Sequence, residues 1–583
     1  MDNKDTRLFG ATYTNRQLFK GFWKLGKPYW FSEEKWPARG LLTLVILLTL
    51  GWVYLMVLVN TWYRNFYNAI QQFNEKIFWS LLGYFGILAA FAILISVFRQ
   101  YFTQTLQNRW RKWMTRKFLE QWLQDKSHYL WQLGEKKTDN PDQRISEDIR
   151  DFVNYSLTLS VGLLNQVVTF FSFISILWIL SGPLHIPLGH GQYFSVPGYM
   201  AWACLIYAGI STWIAHRIGR PLIGFNYNQQ LLEADFRFSL VRLRENGESV
   251  ALSDGENVEE ASLKNSFQWV FFNFKSIIRK TMHLNFFSSG YDQLAIVFPL
   301  MVAAPRYFAK QIGYGGLIQV TNSFDQVRRA LSWILDNYAT LAYWRSVVER
   351  LEGFEYEVDR TKQMRIQAQS VVQHEPNQGA IRLDQVTLLL PGNAKPLLNS
   401  LDMQFQEGKY TLILGPSGCG KSTLFRTIYG IWPYAKGKVY LPANAKIMIV
   451  PQKPYLPVGT LRATLTYPKS ELEFSDHEIK EVLALCSLSH LEHRLDESAN
   501  WALMLSGGEQ QRVIWGRIFL HQPQWIFMDE ATSALDEVTQ ENLYSVLKQR
   551  LPATTVISAI HRQDPQKFHQ VILDILPEQA QPA

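Results

Sequence analysis

At 583 residues the chain is too long for one core, and a domain size of about 100 to 200 residues predicts several folded units. A net charge of +8 raises nucleic acid as a partner, but cytoplasmic loops of membrane proteins also collect Lys and Arg, and here the basic residues are confined to particular segments. The three cysteines, Cys204, Cys419 and Cys486, have no metal-ligand spacing and exclude a disulfide framework.

The mean hydropathy of −0.09 averages two unlike parts, since most of the tryptophan and the long apolar stretches precede residue 350. The first 20 residues hold no apolar core of the kind a cleavable signal peptide needs. In the N-terminal arm, 1–38, Phe19, Phe22 and Trp23 alternate with Lys20, Lys24 and Lys27, which predicts an amphipathic segment at a membrane interface.

A transmembrane domain is expected over 39–352. Six apolar runs near 40–62, 78–98, 156–181, 197–216, 282–304 and 318–342 match the roughly 20 residues of a bilayer-spanning helix. An even number of crossings puts both termini on one side, the cytosolic one because the C-terminal soluble domain must be cytosolic, and the short segments near 63–77, 183–196 and 305–317 outside. The basic clusters agree: Arg109, Arg111, Lys112, Arg116 and Lys117 lie between the second and third runs, and Arg217, Arg220, Arg237, Arg242 and Arg244 between the fourth and fifth. Both intervals are long, helical in pattern and charged, so these helices are expected to project into the cytosol far enough to meet a domain held below the membrane. A polar stretch over 353–378, with VDRTKQMRIQAQ and HEPNQG, reads as a linker. Residues 379–583 read as a soluble α/β domain opening on the strand-like IRLDQVTLLL. The expected fold class is therefore a six-helix, all-α transmembrane domain with long cytosolic extensions, fused to a soluble α/β domain.

The chemistry lies in that last domain. Gly415, Pro416, Ser417, Gly418, Cys419, Gly420, Lys421, Ser422 and Thr423 spell GPSGCGKST between a strand and a helix, where glycines let backbone N–H groups approach phosphate oxygens. Lys421 would contact the β- and γ-phosphates of ATP, and Ser422 would ligate Mg²⁺. Asp529 ends an apolar strand where its carboxylate can hold Mg²⁺ through water, and Glu530 beside it is the candidate general base. LSGGEQQR, Leu505 to Arg512, lies between these two segments. This order resembles the ATP-binding-cassette (ABC) ATPases, and the resemblance implies further roles. Gln452 would sense Mg²⁺ and the membrane domain, His561 would contact the γ-phosphate, and Ser533 to Asp536 would form a loop crossing to a partner site. Ser506 and Gly508 would complete the ATP site of a second subunit, which makes a homodimer the expected assembly. The chain departs from the pattern where an aromatic usually stacks on adenine, since Leu389, Leu390 and Pro391 stand there.

Beyond the cassette the chain resembles the SbmA/BacA-like (YddA-type) group of ABC half-transporters, related to the peroxisomal fatty acyl-CoA transporters of ABC subfamily D. KPYWFSEEKWPA (Lys27 to Ala38), NTWYRNFYNAIQ (Asn60 to Gln71), NRWRKWMT (Asn108 to Thr115), NPDQRISEDI (Asn140 to Ile149), EADFRFSLVRLRENGESVAL (Glu233 to Leu252), GIWPYAKG and PQKPYLPVGTLR carry the resemblance. It implies that NPDQR and EADFR contact the cassettes, and Asp142, Arg144, Glu147 and Asp148 offer ion pairs for that coupling.

Two runs are too polar to face lipid: Asn285, Ser288, Ser289 and Asp292 on the fifth, and Asp325, Arg329, Ser332 and Asp336 on the sixth. Ionisable groups in spans usually face a bundle interior or a wet cavity. They read as a polar translocation cavity, the competing reading being an interhelical lock that includes an Asp325–Arg329 pair. The expected function is ATP-driven transport of an amphipathic or hydrophilic peptide, corrinoid or acyl-CoA-like compound across a bacterial inner membrane. Expected partners are a second copy, membrane lipid and the cargo, with no nucleic acid. A lipid or drug exporter or flippase of the same architecture is the alternative, and an ATP-gated channel would differ by uncoupled flux.

Overall fold

The computed structural model describes residues 15–134, 140–189, 192–375, 379–392, 396–560 and 567–575. It divides into two compact units, one of residues 1–118 and 140–353, the other of 119–139 and 354–583.

The first unit is helical. α1 (Asn15–Gly26) leads into α2 (Lys35–Gln71), and α3 (Glu75–Leu123) follows after a turn at 72–74. α4 (Ser127–Gln132) belongs to the second unit. α5 (Pro141–Gln143) passes through a π-helical turn at Arg144–Asp148 into α6 (Ile149–Ser181). A hairpin of β1 (Pro183–Gly189) and β2 (Gln192–Pro197) then precedes α7 (Tyr199–Glu245), α8 (Gly247–Leu252), α9 (Glu256–Phe308), α10 (Tyr314–Asp336) and α11 (Tyr338–Ser370). Four helical stretches, Lys35–Gln71, Glu75–Gln132, Pro141–Ser181 and Glu256–Phe308, are long and apolar enough to cross a membrane. The two remaining expected runs lie in α7 and α10, whose polar residues lower their hydropathy. The run at 318–342 is not one helix, because α10 stops at Asp336 and α11 begins at Tyr338. α10 is the hub of this unit, packing on α2, α6, α7 and α9. Phe173, Leu177, Met200, Cys204, Ala303, Val320, Phe324 and Val327 form the shared core. Buried Asn60 donates to Ser323 Oγ at 2.7 Å, and the Gly315 N–H donates to Asn68 Oδ1 at 2.9 Å. A Cβ on Gly315 would overlap the Arg64 carbonyl, so only glycine lets α2 and α10 approach this closely.

The second unit is α/β. A four-stranded sheet is ordered β3 (Val372–Glu375), β7 (Ala435–Pro442), β4 (Ala380–Leu389), β5 (Pro396–Gln406). A five-stranded parallel sheet is ordered β13 (Val571–Asp574), β6 (Tyr410–Leu414), β12 (Thr555–Ala559), β11 (Trp525–Asp529), β8 (Ile447–Val450). Their strands are nearly continuous apolar runs, as parallel strands covered on both faces require. α12 (Lys421–Ile428) packs between the sheets. A helical subdomain holds the short pair β9 (Gly459–Thr460) and β10 (Ser498–Ala499), then α13 (Leu461–Thr466), α14 (Asp476–Leu485), α15 (Trp501–Met504) and α16 (Gly507–His521), and α17 (Glu537–Arg550) follows. The polar stretch expected to be a linker is instead largely α11, continuous to Ser370. Its charged residues pair along and beside the helix: Arg360 with Glu357 at 2.8 Å, Lys362 with Asp359 at 3.0 Å, and Arg365 with Asp125.

Candidate functional site: the ATPase cassette and a polar cavity

In a parallel sheet, ligands bind at the carboxyl ends of the strands. β6, β12 and β11 are adjacent, so the loop after β6 and the turn after β11 emerge along one edge. The loop after β6 holds its shape through Gly418 (φ +77°) and Gly420 (φ +107°). A Cβ on Gly420 would also stand 2.8 Å from Leu397, so no other residue fits between the loop and β5. The first N–H groups of α12 therefore open onto the loop, the arrangement that binds phosphate. Lys421, 5% exposed, donates from Nζ to the carbonyls of Gly415 (2.7 Å) and Pro416 (3.0 Å), which keeps its charge inside the loop. Ser422 is half-buried in the first turn of α12, Thr423 and Cys419 are buried, and Pro416 and Ser417 are exposed.

Asp529 closes β11, and Glu530 follows in the left-handed region at φ +51°. For a residue with a side chain this is a strained backbone, and strain of this kind clusters at functional sites. The Glu530 N–H is held by the Ala559 carbonyl at 3.0 Å, and Gln452 Nε2 donates to Glu530 Oε2 at 2.7 Å. Gln452, Asp529 and Glu530 are thus brought together from two strand ends. His561, expected just beyond β12, lies outside the described residues.

Ser506 caps α16 in a reciprocal box with Glu509. The Ser506 N–H donates to Glu509 Oε2 at 3.0 Å, and the Glu509 N–H to Ser506 Oγ at 3.4 Å. Partial burial alone would raise the Glu509 pKa, but hydrogen bonds from Ser506 and from His490 (3.0 Å) outweigh it and hold the carboxyl below its usual range. Gly508 lies against the Ala534 carbonyl, 3.1 Å from where a Cβ would stand. Gln511, also in this segment, is buried. It donates to Ser533 Oγ (3.2 Å) and accepts from the Ala534 N–H (3.0 Å), which fastens the Ser533-to-Asp536 turn to α16. Asp536 caps α17 by accepting from the Thr539 N–H (2.9 Å) and hydroxyl (2.7 Å), and the backbone bond draws its pKa below the ordinary carboxylate range. At the expected adenine side, the Leu389 carbonyl accepts from the Trp432 indole at 3.2 Å, and half-buried Leu390 and Pro391 follow it.

Part of the second unit comes from the segment after α3. Asp125 and Lys126 are both left-handed, at φ 60° and 61°, and turn the chain into α4. Asp125 pairs with Arg365, and the Lys126 ammonium stands 3.8 Å from the ring centroid of Tyr429 at the end of α12. The Tyr434 hydroxyl donates to the Leu133 carbonyl at 3.4 Å. The coupling residues expected from NPDQR behave differently. Asp148 is buried and bonded to Arg144 (2.7 Å) and doubly to Arg350 of α11 (2.6 and 2.9 Å), so this triad fastens the first unit internally. Asp142 and Glu147 remain at the surface, Glu147 bonded to Gln143.

Within the first unit a cavity of about 590 Å³ lies among α7, α9, α10 and the start of α11. Of the residues expected there, Ser288, Asp292, Arg329, Ser332 and Asp336 line it, together with His216, Arg220 and Arg328. Asn285 and Ser289 do not; both are exposed on another side of α9, because two helical steps do not fix a helix's rotation. Asp325 lies behind the wall, bonded to Arg328 and Arg329, each at 2.8 Å. Arg328, overlooked in the sequence, is the centre of the network: it reaches Asp292 at 2.6 Å and lies over the Tyr291 ring. Its side chain is 14% exposed, against 67% for Arg329.

A phosphate loop and an acidic strand end on one sheet edge, with the capped helix α16 in the same domain and bilayer-length helices elsewhere in the chain, define an ATPase cassette joined to a membrane domain. The comparisons agree. The family described as ABC transporter transmembrane region 2 matches residues 27–308, and the family described as ABC transporter matches residues 398–533. An uncharacterized ABC transporter ATP-binding protein of Haemophilus influenzae is 34% identical, covering 95% of this chain and 93% of that protein. The inner membrane ABC transporter ATP-binding protein YddA of Escherichia coli is 31% identical over 96% of this chain and 98% of its own. The human lysosomal cobalamin transporter is 25% identical, covering 96% and 94%. A bacterial Atm1-family ABC exporter, solved with ATP bound, shares the fold at a TM-score of 0.70 and 17% identity, covering 93% of this chain and 94% of that one. The chain belongs to the ABC transporters. It is a multi-pass membrane protein with an ATP-binding domain, an ATPase coupled to transport, related to YddA and to the subfamily D transporters.

Proposed function

We propose that the chain works as a homodimer in a bacterial inner membrane, as an SbmA/BacA-like half-transporter that moves an amphipathic or hydrophilic compound through the cavity of its membrane domain. The cargo classes that fit are peptides, corrinoids and acyl-CoA-like molecules. The observation that carries this reading is the cavity itself, which Asp292, Arg329, Asp336 and His216 line from three helices, one of them the membrane-length α9. ATP binds along the phosphate loop, where α12 supplies N–H donors and Lys421 the charge. Mg²⁺, held by the Ser422 hydroxyl, Gln452 and the Asp529 carboxylate, would neutralise phosphate charge. The donor set fits, since each residue stands at a strand end or in the first turn of α12. Glu530 accepts the proton of the attacking water, and Gln452, bonded to it, reports on the site. Ser506 and Gly508, at the N-terminus of α16, face the ATP of the second copy. The test is an ATPase-stimulation screen of the reconstituted protein against peptides, corrinoids, acyl-CoAs and lipids. Stimulation by lipids alone would overturn the polar-cargo reading in favour of a flippase.

A further inference from the structure

Helix α1 is held by the first unit along one side only. Leu25 is buried, and Phe22 packs on Phe152 at 5.9 Å and edge-on to Trp344 at 5.4 Å. Gly21 stands so near Glu352 that a Cβ there would meet its carboxyl group, and just beyond α1 Tyr29 stacks on Trp110 at 5.4 Å. With about 3.6 residues per turn these anchors share one half of the helix, and Arg16, Phe19, Lys20 and Trp23 occupy the other. That outer half mixes rings and cations: Phe19 is 66% exposed, Trp23 is 50% exposed, and both basic residues are exposed. The character persists past the helix. Phe31 and Trp36 are exposed, with Lys27 at 5.7 Å and Arg39 at 5.0 Å from the Phe31 ring.

Two observations choose the occupant. Residues 15–31 contain Arg16, Lys20, Lys24 and Lys27 and no acidic residue, so the face calls for negative charge. The stretch also runs directly into Lys35–Gln71, a bilayer-length helix, so it lies at the level where a membrane surface begins. Rings at an interface with lysines beside them bind headgroups by combined insertion and charge attraction. We propose that the outer face of α1 and the turn after it is a docking face for anionic phospholipid headgroups. Because α1 rests on α6 and α11, headgroup binding bears on the packing of those two helices.

The experiment uses the full chain in nanodiscs of phosphatidylcholine alone or mixed with phosphatidylglycerol, with hydrogen–deuterium exchange read over residues 15–26 and ATPase rate read in parallel. Exchange should be slower, and ATP turnover different, in the anionic discs. Both differences should vanish in the double variant R16E/K20E, and in wild type at 1 M salt, where the Debye length falls to about 3 Å. The variant should melt with wild type, since both side chains are exposed. Equal exchange in the two lipids, or anionic protection that survives in the variant, overturns the proposal. Protection that instead follows protein concentration shows that a second copy covers the face, and overturns it too. A second variant, F19S/W23S, should lose protection in both lipids, and full retention overturns the aromatic half of the argument.

Discussion

Glu530 is held at φ +51° by the bond from its N–H to Ala559, and its carboxylate is met by Gln452. Glutamine at this position keeps the backbone and accepts from Gln452 through its own carbonyl, but it cannot take a proton from water. In Glu530→Gln, ATP should therefore bind with near wild-type affinity while turnover nearly stops. Hydrolysis at the wild-type rate in the purified variant would remove Glu530 as the base. The three cysteines separate by burial. All are buried, but Cys486 lies fully inside the helical subdomain, where burial pushes its thiol up to about 12 and leaves almost no thiolate at neutral pH. Cys419, 6% exposed in the phosphate loop, is the reachable one outside the membrane helices. N-ethylmaleimide should inactivate slowly, ATP should slow it further, and Cys419→Ala should resist. Equal sensitivity of that variant would assign the inhibition to another residue. The motif residues of the cassette were legible because a phosphate loop needs glycine, lysine and hydroxyl at fixed offsets. Gln511 was not, because a buried glutamine bonded to a neighbouring turn reads in sequence like an exposed one.

At the scale of elements, the contact between the chain after α3 and the end of α12 is built on two consecutive left-handed residues. Non-glycine residues pay strain for that conformation, and the Asp125–Arg365 pair and the Lys126–Tyr429 contact offset it. A cation over the last turn of α12 also suits the helix dipole. Lys126→Met should lower the melting temperature by the equivalent of about 1–2 kcal/mol, and reduce cargo-stimulated turnover more than basal turnover. Proportional loss of both would show the contact to be structural only. Burial, with Arg365 adding repulsion, holds the Lys126 pKa below its ordinary 10.5. The unfolded chain therefore binds the proton more tightly, and stability rises with pH between the lowered value and 10.5. That alkaline gain should be missing from Lys126→Met when the two are melted side by side. None of this was readable in the sequence. Polarity at 353–378 suggested a linker because charged residues were read as solvated, whereas pairs at i, i+3 make the same residues a helix. Asp148, expected from the resemblance to offer an ion pair for coupling, is bonded instead to Arg144 and Arg350 within the first unit.

At the scale of the whole molecule, the membrane half and the cassette were separable from composition alone, but the rotation of each helix was not. Arg328 and Arg329 are adjacent, and both fit a pair with Asp325, so spacing alone could not rank them. The structure gives them opposite characters. Arg328 is enclosed and shared between Asp292 and Asp325, which is how a lock between α9 and α10 is built. Arg329 is bonded to Asp325 but largely exposed at the cavity, which is how a cargo contact is built. Removing one partner of a fully buried charge pair typically costs about 3–5 kcal/mol and an exposed pair contributes about 0–1 kcal/mol, so the Arg328 network, an enclosed cation on two partly exposed carboxylates, falls between the two. Arg328→Ala should therefore lower the melting temperature and the yield first, with activity falling in step. Arg329→Ala should melt with wild type and keep basal ATP hydrolysis while losing stimulation by cargo. The two variants are compared on one detergent preparation, melting temperature against stimulated turnover. If Arg329→Ala retains full stimulation at unchanged stability, the cavity wall does not read cargo through that side chain, and transport must run along another face of α9 and α10. If Arg328→Ala keeps its melting temperature and loses stimulation, the lock assignment falls and Arg328 becomes the cargo contact.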